Sequence, residues 1–172
     1  MGWVTVGVYI LAAASALLVA WRGRFPAETA RRERIFWTLA AVLLLFLAVN
    51  KQLDLQSALT AAARCLAQAQ GWYQDRRVVQ IAFIIGLLVA GVMGLIFLAW
   101  LLRGTMRRTG LALLGLCVVT VFVLVRAAGF HHMDILINET VGGVRLNWVL
   151  ELPGPLIVLL TAMRELMPSR SQ

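Results

Sequence analysis

The sequence predicts an all-α integral membrane protein: a bundle of five transmembrane helices with an amphipathic interfacial helix after the second span. Three observations support this fold class. Of the 172 residues, 61% are hydrophobic and only 14% are charged, which is too few polar residues to cover a soluble surface. The mean hydropathy is +0.84. The apolar residues form long runs, and arginines cluster in the short connections between those runs.

The charge balance is strongly basic, with 16 Lys+Arg against 8 Asp+Glu. In a soluble protein this excess would indicate nucleic-acid binding. Here the arginines flank apolar runs, so the sequence predicts contact with a lipid bilayer that carries anionic headgroups, and no nucleic-acid partner. Cys65 and Cys117 lie in different environments and form no CxxC pair, so they indicate neither a disulfide nor a metal motif.

The first span is predicted at residues 3–21, which are apolar throughout. Ala12, Ala16 and Ala20 form a row of small residues at helical spacing, which permits close helix packing in lipid. The connection at 22–34 carries five arginines, whereas no positive charge precedes the span. By the positive-inside rule this connection is predicted to be cytoplasmic, with the N-terminus on the outer side.

The second span is predicted at 35–54, where a short apolar run is extended by polar residues at its outer end. An amphipathic interfacial helix is predicted at about 55–70. Leu59, Ala62 and Leu66 recur there at helical spacing opposite polar side chains, as expected of a helix lying on the outer membrane surface.

Three further apolar runs complete the bundle. Gly86, Ala90 and Gly94 form a second small-residue row in the third run. Pro153 and Pro155 interrupt the fifth run, because each removes a backbone donor, so a kinked span is predicted and a partly re-entrant one is the alternative. These spans are predicted at 78–102, 109–126 and 146–163.

The distribution of basic residues supports one topology. Ten arginines fall in the predicted cytoplasmic segments, against six Lys+Arg on the longer outer ones. We therefore expect a single transmembrane domain, 1–172, in the bacterial inner membrane, with a periplasmic N-terminus and a cytoplasmic C-terminus. The tryptophans are predicted to be interface anchors, since they fall near span ends: Trp3, Trp21, Trp37, Trp72, Trp100 and Trp148.

The stretch 126–151 carries the chemistry-bearing residues of the outer face, including both histidines of the chain. His131, His132 and Asp134 are candidate metal ligands, since imidazole and carboxylate groups bind divalent metals. A metal held there would activate water for hydrolysis. Because the two histidines are adjacent, they cannot approach one haem iron from opposite sides, which disfavours haem.

Glu151 and Asp54 are the candidate catalytic acid/base residues beside this metal site. Glu151 is expected inside the fifth span, where Pro155 would free its backbone carbonyl, and ionisable groups at membrane depth usually have partners or functions. A structural alternative is also open. In it the charged groups of this region pair with Lys51, Arg145 or one another, and the histidines lie at headgroup level. These groups are Asp54, Arg126, Asp134 and Glu151.

Two function classes remain. The chain contains no GxSxG, Walker A, GxGxxG, CxxC or HExxH motif, which excludes the usual signatures of hydrolases, nucleotide-binding proteins and redox proteins. The first class is an accessory or structural subunit of a larger membrane complex, which binds a membrane protein partner or self-associates through its Ala and Gly faces. The second is a membrane-embedded metal-binding protein or hydrolase that uses the outer His/Asp/Glu cluster and a divalent metal as cofactor.

Overall fold

The computed structural model describes residues 2–53, 61–62, 65–66, 68–71, 76–128, 140–141 and 144–167. This part of the chain is almost entirely helical. The only strands within it are two-residue segments, β1 (Thr140–Val141) and β2 (Val144–Arg145), which pair antiparallel. The helices are α1 (Gly2–Arg22), α2 (Ala30–Leu53), α3 (Arg76–Leu101), α4 (Met106–Ala128), α5 (Leu146–Glu151) and α6 (Pro153–Leu166).

Four helices are long and apolar enough to cross a membrane, which confirms the prediction of a multi-pass helical membrane protein. They cover Trp3–Arg22, Ala30–Leu53, Ile81–Leu101 and Met106–Arg126. The predicted fifth run is divided between α5, with 6 residues, and α6, with 14, each too short to span alone. A fifth span therefore stays a prediction.

The interfacial helix also stays a prediction. Residues 61–62, 65–66 and 68–69 are helical, and their described side chains are exposed. The other residues of 55–70 lie outside the described part of the chain.

The second helix begins earlier than the sequence analysis predicts. The carbonyl oxygen of Pro26 accepts hydrogen bonds from the N–H groups of Thr29 and Ala30, at 3.0 and 2.9 Å, and α2 starts there instead of at residue 35. Arg, Glu and Ala are good helix formers, so charge ends the apolar run without ending the helix. The last three arginines of the predicted connection therefore belong to the first turns of α2.

Helix packing places the five longer helices in a row of neighbours. α1 packs against α2 on one side and against α6 on the other, while α4 packs between α6 and α3. The Ala12, Ala16 and Ala20 row is buried in this core, together with large side chains of α2 such as Phe36 and Leu44. The burial of that row agrees with close approach of helices through small residues.

A close approach of two helix backbones joins α4 to α6 through a pair of glycines. An added Cβ at Gly115 would lie 2.8 Å from the carbonyl oxygen of Gly154, and one at Gly154 would lie 2.9 Å from the carbonyl oxygen of Gly115. Real Cβ atoms do not approach backbone oxygens so closely. This contact therefore requires glycine on both helices.

The two ends of the bundle differ in charge. The α1–α2 and α3–α4 turns meet at one end, where the guanidinium of Arg108 donates to the carbonyl oxygen of Arg24 at 3.4 Å. We name it the arginine-rich end, because nine described arginines lie in or beside these turns and the end of α6: Arg22, Arg24, Arg31, Arg32, Arg34, Arg103, Arg107, Arg108 and Arg164. The opposite end, named the Lys51 end, contains the C-terminus of α2 and the α5–α6 junction.

Candidate functional site

A buried ion pair joins two distant segments at the Lys51 end. The Glu151 side chain, at the end of α5, is only 3% exposed, and the Lys51 side chain, in the last turn of α2, is 22% exposed. The Lys51 ammonium donates to both carboxylate oxygens of Glu151, at 2.8 and 2.7 Å. Such charge-assisted hydrogen bonds are stronger than neutral ones, and they offset part of the cost of burying the carboxylate.

The backbone stays helical after Glu151, although two prolines in this segment cannot donate backbone hydrogen bonds. Leu152 keeps helical angles, with φ −73 and ψ −33, and its N–H donates to the Trp148 carbonyl at 3.0 Å. Pro153 and Pro155 have no N–H, so the carbonyls of Val149 and Glu151 lose the donors that a regular helix would supply. The regular hydrogen-bond pattern of the helix is therefore interrupted beside a buried carboxylate.

Two further polar side chains, those of Tyr9 and Arg126, belong to the surroundings of this pair. Tyr9 of α1 is nearly fully buried, and the charges of Glu151 and Arg126 both act on its hydroxyl. Arg126 lies in the last turn of α4. Together with Lys51 these residues form a polar cluster, the Lys51-end cluster, to which α1, α2, α4 and α5 each contribute one side chain.

The structure describes only one residue of the predicted catalytic and metal site. Asp54, His131, His132 and Asp134 lie outside the described residues, so the metal site stays a prediction. Within the described ranges, no group of three His, Cys, Asp or Glu side chains is arranged to hold a metal ion. Glu151 is paired with Lys51, as the structural alternative predicts, while its acid/base role stays a prediction.

A second polar cluster, at the arginine-rich end, was not predicted. Glu33 in the first turn of α2 is fully buried, and its Oε1 accepts a hydrogen bond from the Thr29 hydroxyl at 2.8 Å. Its Oε2 has no hydrogen-bond partner among the described residues, and neither has the indole nitrogen of buried Trp37. The prediction that Trp37 is an exposed interface anchor is therefore wrong, because α2 turns this ring into the core.

The sequence did contain a signal for these two residues. Glu33, Trp37, Ala40 and Leu44 follow one another at spacings of three or four, so they share one face of a helix. A span that begins at Ile35 leaves Glu33 in the connection. The helical spacing, extended backward from Leu44, places Glu33 on the buried face.

Arg108 links this cluster to the rest of the arginine-rich end. Its guanidinium donates to the carboxylate of Glu165 in α6 and stacks over the Phe25 ring with 5.7 Å between the charged carbon and the ring centroid. The charge of Glu33 also acts on it. One side chain from the start of α4 thus connects the α1–α2 turn and the end of α6.

Comparison with known proteins gives no significant match: no family model, curated protein or solved structure resembles this chain. The argument for function therefore rests on the chain's own residues. The two described clusters are ion-paired and join helices at opposite ends of the bundle, so their clearest chemical effect is to fix the helices against one another.

Proposed function

We propose that the protein is an accessory or structural subunit of a larger membrane complex. The observation that carries the proposal is the exposure of α3. Only 6% of its predicted membrane-spanning segment is buried inside the protein, against 39–44% for the other three candidate spans. A helix so little covered by its own chain has most of its circumference free for lipid or for a helix of another protein.

The exposed surface of α3 is suited to helix contact. A Cβ added at Gly86 or Gly94 would meet nothing within 4 Å, so the Gly86, Ala90 and Gly94 row is open. Gly91, by contrast, faces α4, where its Cβ would lie 3.2 Å from the Thr120 methyl group. In lipid, a row of small residues lets another backbone approach closely, which gives dispersion contacts that lipid chains do not match.

The proposal includes a five-span topology in the bacterial inner membrane, with α5 and α6 together forming the fifth span. Leu146 to Leu166 is 21 residues, or about 31 Å of helix, which matches a hydrocarbon core of about 30 Å. Glu151 of α5 pairs at the Lys51 end and Glu165 of α6 pairs at the arginine-rich end, which supports a span that α5 and α6 form together. By the positive-inside rule the arginine-rich end is cytoplasmic.

The test compares complex size before and after α3 is altered. In membranes solubilised in mild detergent, we expect the wild-type chain to migrate on native gels in a complex larger than one 19.0 kDa chain in a micelle. Gly86→Leu/Gly94→Leu fills the open row and should release the monomer. Gly7→Leu is the matched control, because its Cβ also meets nothing within 4 Å but lies on α1.

Two results would contradict the subunit proposal. One is a wild-type chain that remains monomeric after cross-linking in intact membranes. The other is a shift to monomer by Gly7→Leu as well as by the α3 variant, which would indicate a general packing defect.

A second candidate function is a metal-binding protein or membrane-embedded hydrolase that uses His131, His132 and Asp134 as ligands. The observation that favours it is the Glu151 carboxylate, which is held buried at a helix junction that contains two prolines. Asp54 or Glu151 would then act as acid/base. The test is metal analysis of the purified protein: a stoichiometric metal that is lost in His132→Ala supports this function, and a metal-free protein that assembles normally contradicts it.

A further inference from the structure

A shallow, open groove lies on one exposed face of α2 near the arginine-rich end. Its upper part, toward the helix start, carries two arginines, and its lower part is mostly apolar. The lining residues are Ala30, Arg31, Arg34, Ile35, Thr38 and Leu39.

The two arginines of the groove have unused donors. Arg31 and Arg34 are exposed, and within the described ranges neither guanidinium makes an ion pair or a hydrogen bond, in contrast to Arg108 at the same end. Being three residues apart, they project from the same side of the helix. Guanidinium groups present forked donors that match the oxygens of a phosphate. No acidic side chain lines the groove, so its upper part attracts anions.

The lower part of the groove offers apolar contact. Ile35 and Leu39 are each about two-fifths exposed, at 39% and 41%. The Thr38 hydroxyl donates to the carbonyl oxygen of Arg34 at 2.8 Å, so its proton is already used within the helix. What remains is a surface of methyl and methylene groups on a helix that continues as a membrane span.

We propose that this groove is a binding site for an anionic phospholipid. The phosphate lies against Arg31 and Arg34, and the first part of an acyl chain lies over Ile35 and Leu39. Free phosphate would use only the upper half, whereas a lipid uses both halves, and the first turns of a spanning helix lie at headgroup depth. The site does not depend on a partner at α3.

The test is native mass spectrometry of the purified full chain with dioleoyl phosphatidylglycerol or dioleoyl phosphatidylcholine added. We expect the wild type to retain phosphatidylglycerol about 30-fold better than phosphatidylcholine. This factor corresponds to the contribution of two basic side chains at the membrane surface. Arg31→Gln/Arg34→Gln should reduce the preference to about threefold or less. Arg22→Gln/Arg103→Gln removes the same charge from exposed positions at the same end, outside the groove, and should leave the preference unchanged.

Three outcomes would overturn the proposal. Equal loss of preference in the two double variants would show diffuse attraction by the whole basic end. Displacement of the lipid by an equal concentration of inorganic phosphate would show a site for the free anion. Equal binding of the headgroup without acyl chains, glycerophosphoglycerol, would show that the apolar half contributes nothing.

Discussion

Removal of the lysine from the Lys51–Glu151 pair should destabilise the protein more than removal of the carboxylate charge. In Lys51→Met, the Glu151 carboxylate keeps its charge and its burial, with 3% of the side chain exposed, but loses two short hydrogen bonds from an ammonium. Breaking a buried pair from one side costs about 3–5 kcal/mol. Because Lys51 is partly exposed, we expect a value at the lower end of that range.

The reverse change leaves a cation that can relax. In Glu151→Gln, the Lys51 side chain is long and already 22% exposed, so its ammonium can turn toward the polar headgroup layer. The expected cost is about 1 kcal/mol, close to that of a surface pair. In the double variant Lys51→Met/Glu151→Gln no carboxylate has lost its ammonium partner, so the cost should be little more than that of Glu151→Gln alone. The two changes are therefore coupled by about 3 kcal/mol.

The assay is reversible unfolding in mixed detergent micelles, followed by circular dichroism, for the four members of this cycle. Arg32→Met serves as the control for loss of a positive charge, because this arginine is exposed and no ion pair to it occurs in the described ranges. Equal costs for Lys51→Met and Glu151→Gln, or additive effects in the double variant, would refute the reasoning that burial of the carboxylate sets the asymmetry.

Two further substitutions test the contacts of α6. Gly154→Ala should lower the free energy of unfolding by about 2 kcal/mol, because the new Cβ would lie 2.5 Å from a side-chain carbon of Val119 in α4. Gly94→Ala is the control: its Cβ would lie in open space, so this change should be neutral or slightly stabilising in the same unfolding assay. Arg108→Gln should lower the free energy of unfolding by about 2 kcal/mol, because it removes a charge-assisted hydrogen bond to Glu165. The neighbouring Arg107 is exposed, so Arg107→Gln should change the unfolding midpoint little. Equal effects of the two substitutions would contradict a stabilising role of the Arg108–Glu165 pair.

In this chain hydropathy predicts which segments are helical better than it predicts the residues at which the helices begin and end. The first predicted span, 3–21, differs from α1 by a single residue at each end, because an apolar run of that length has one stable form in a bilayer. The start of α2 was misplaced at residue 35 because hydropathy detects where the membrane begins. The helix itself extends to Ala30, through arginines that favour helical backbone.

Side-chain partners were harder to predict than helices. The pairing of Glu151 with Lys51 was among the alternatives, but these residues are 100 positions apart, and the choice of partner depends on how α2 and α5 pack. Small-residue rows show the same limit. The row that contains Ala16 is buried and the row that contains Gly94 is exposed, although the two have identical spacing. Spacing indicates a surface that permits contact, and only packing decides whether the contact is made.

Ion pairs at both ends of helix α6 fix the position of the helices along one another. In lipid, apolar helix faces gain little by burial, so packing alone resists sliding weakly. α6 is anchored at both ends, by Glu151 just before it and Glu165 within its last turn, about 21 Å apart at 1.5 Å per residue. A shift of α6 by one turn would break both ion pairs at once and separate Gly154 from Gly115. By contrast, only 6% of the membrane-spanning segment of α3 is covered by the rest of the described chain, and this low coverage is the physical reason to propose α3 as the helix that contacts another chain.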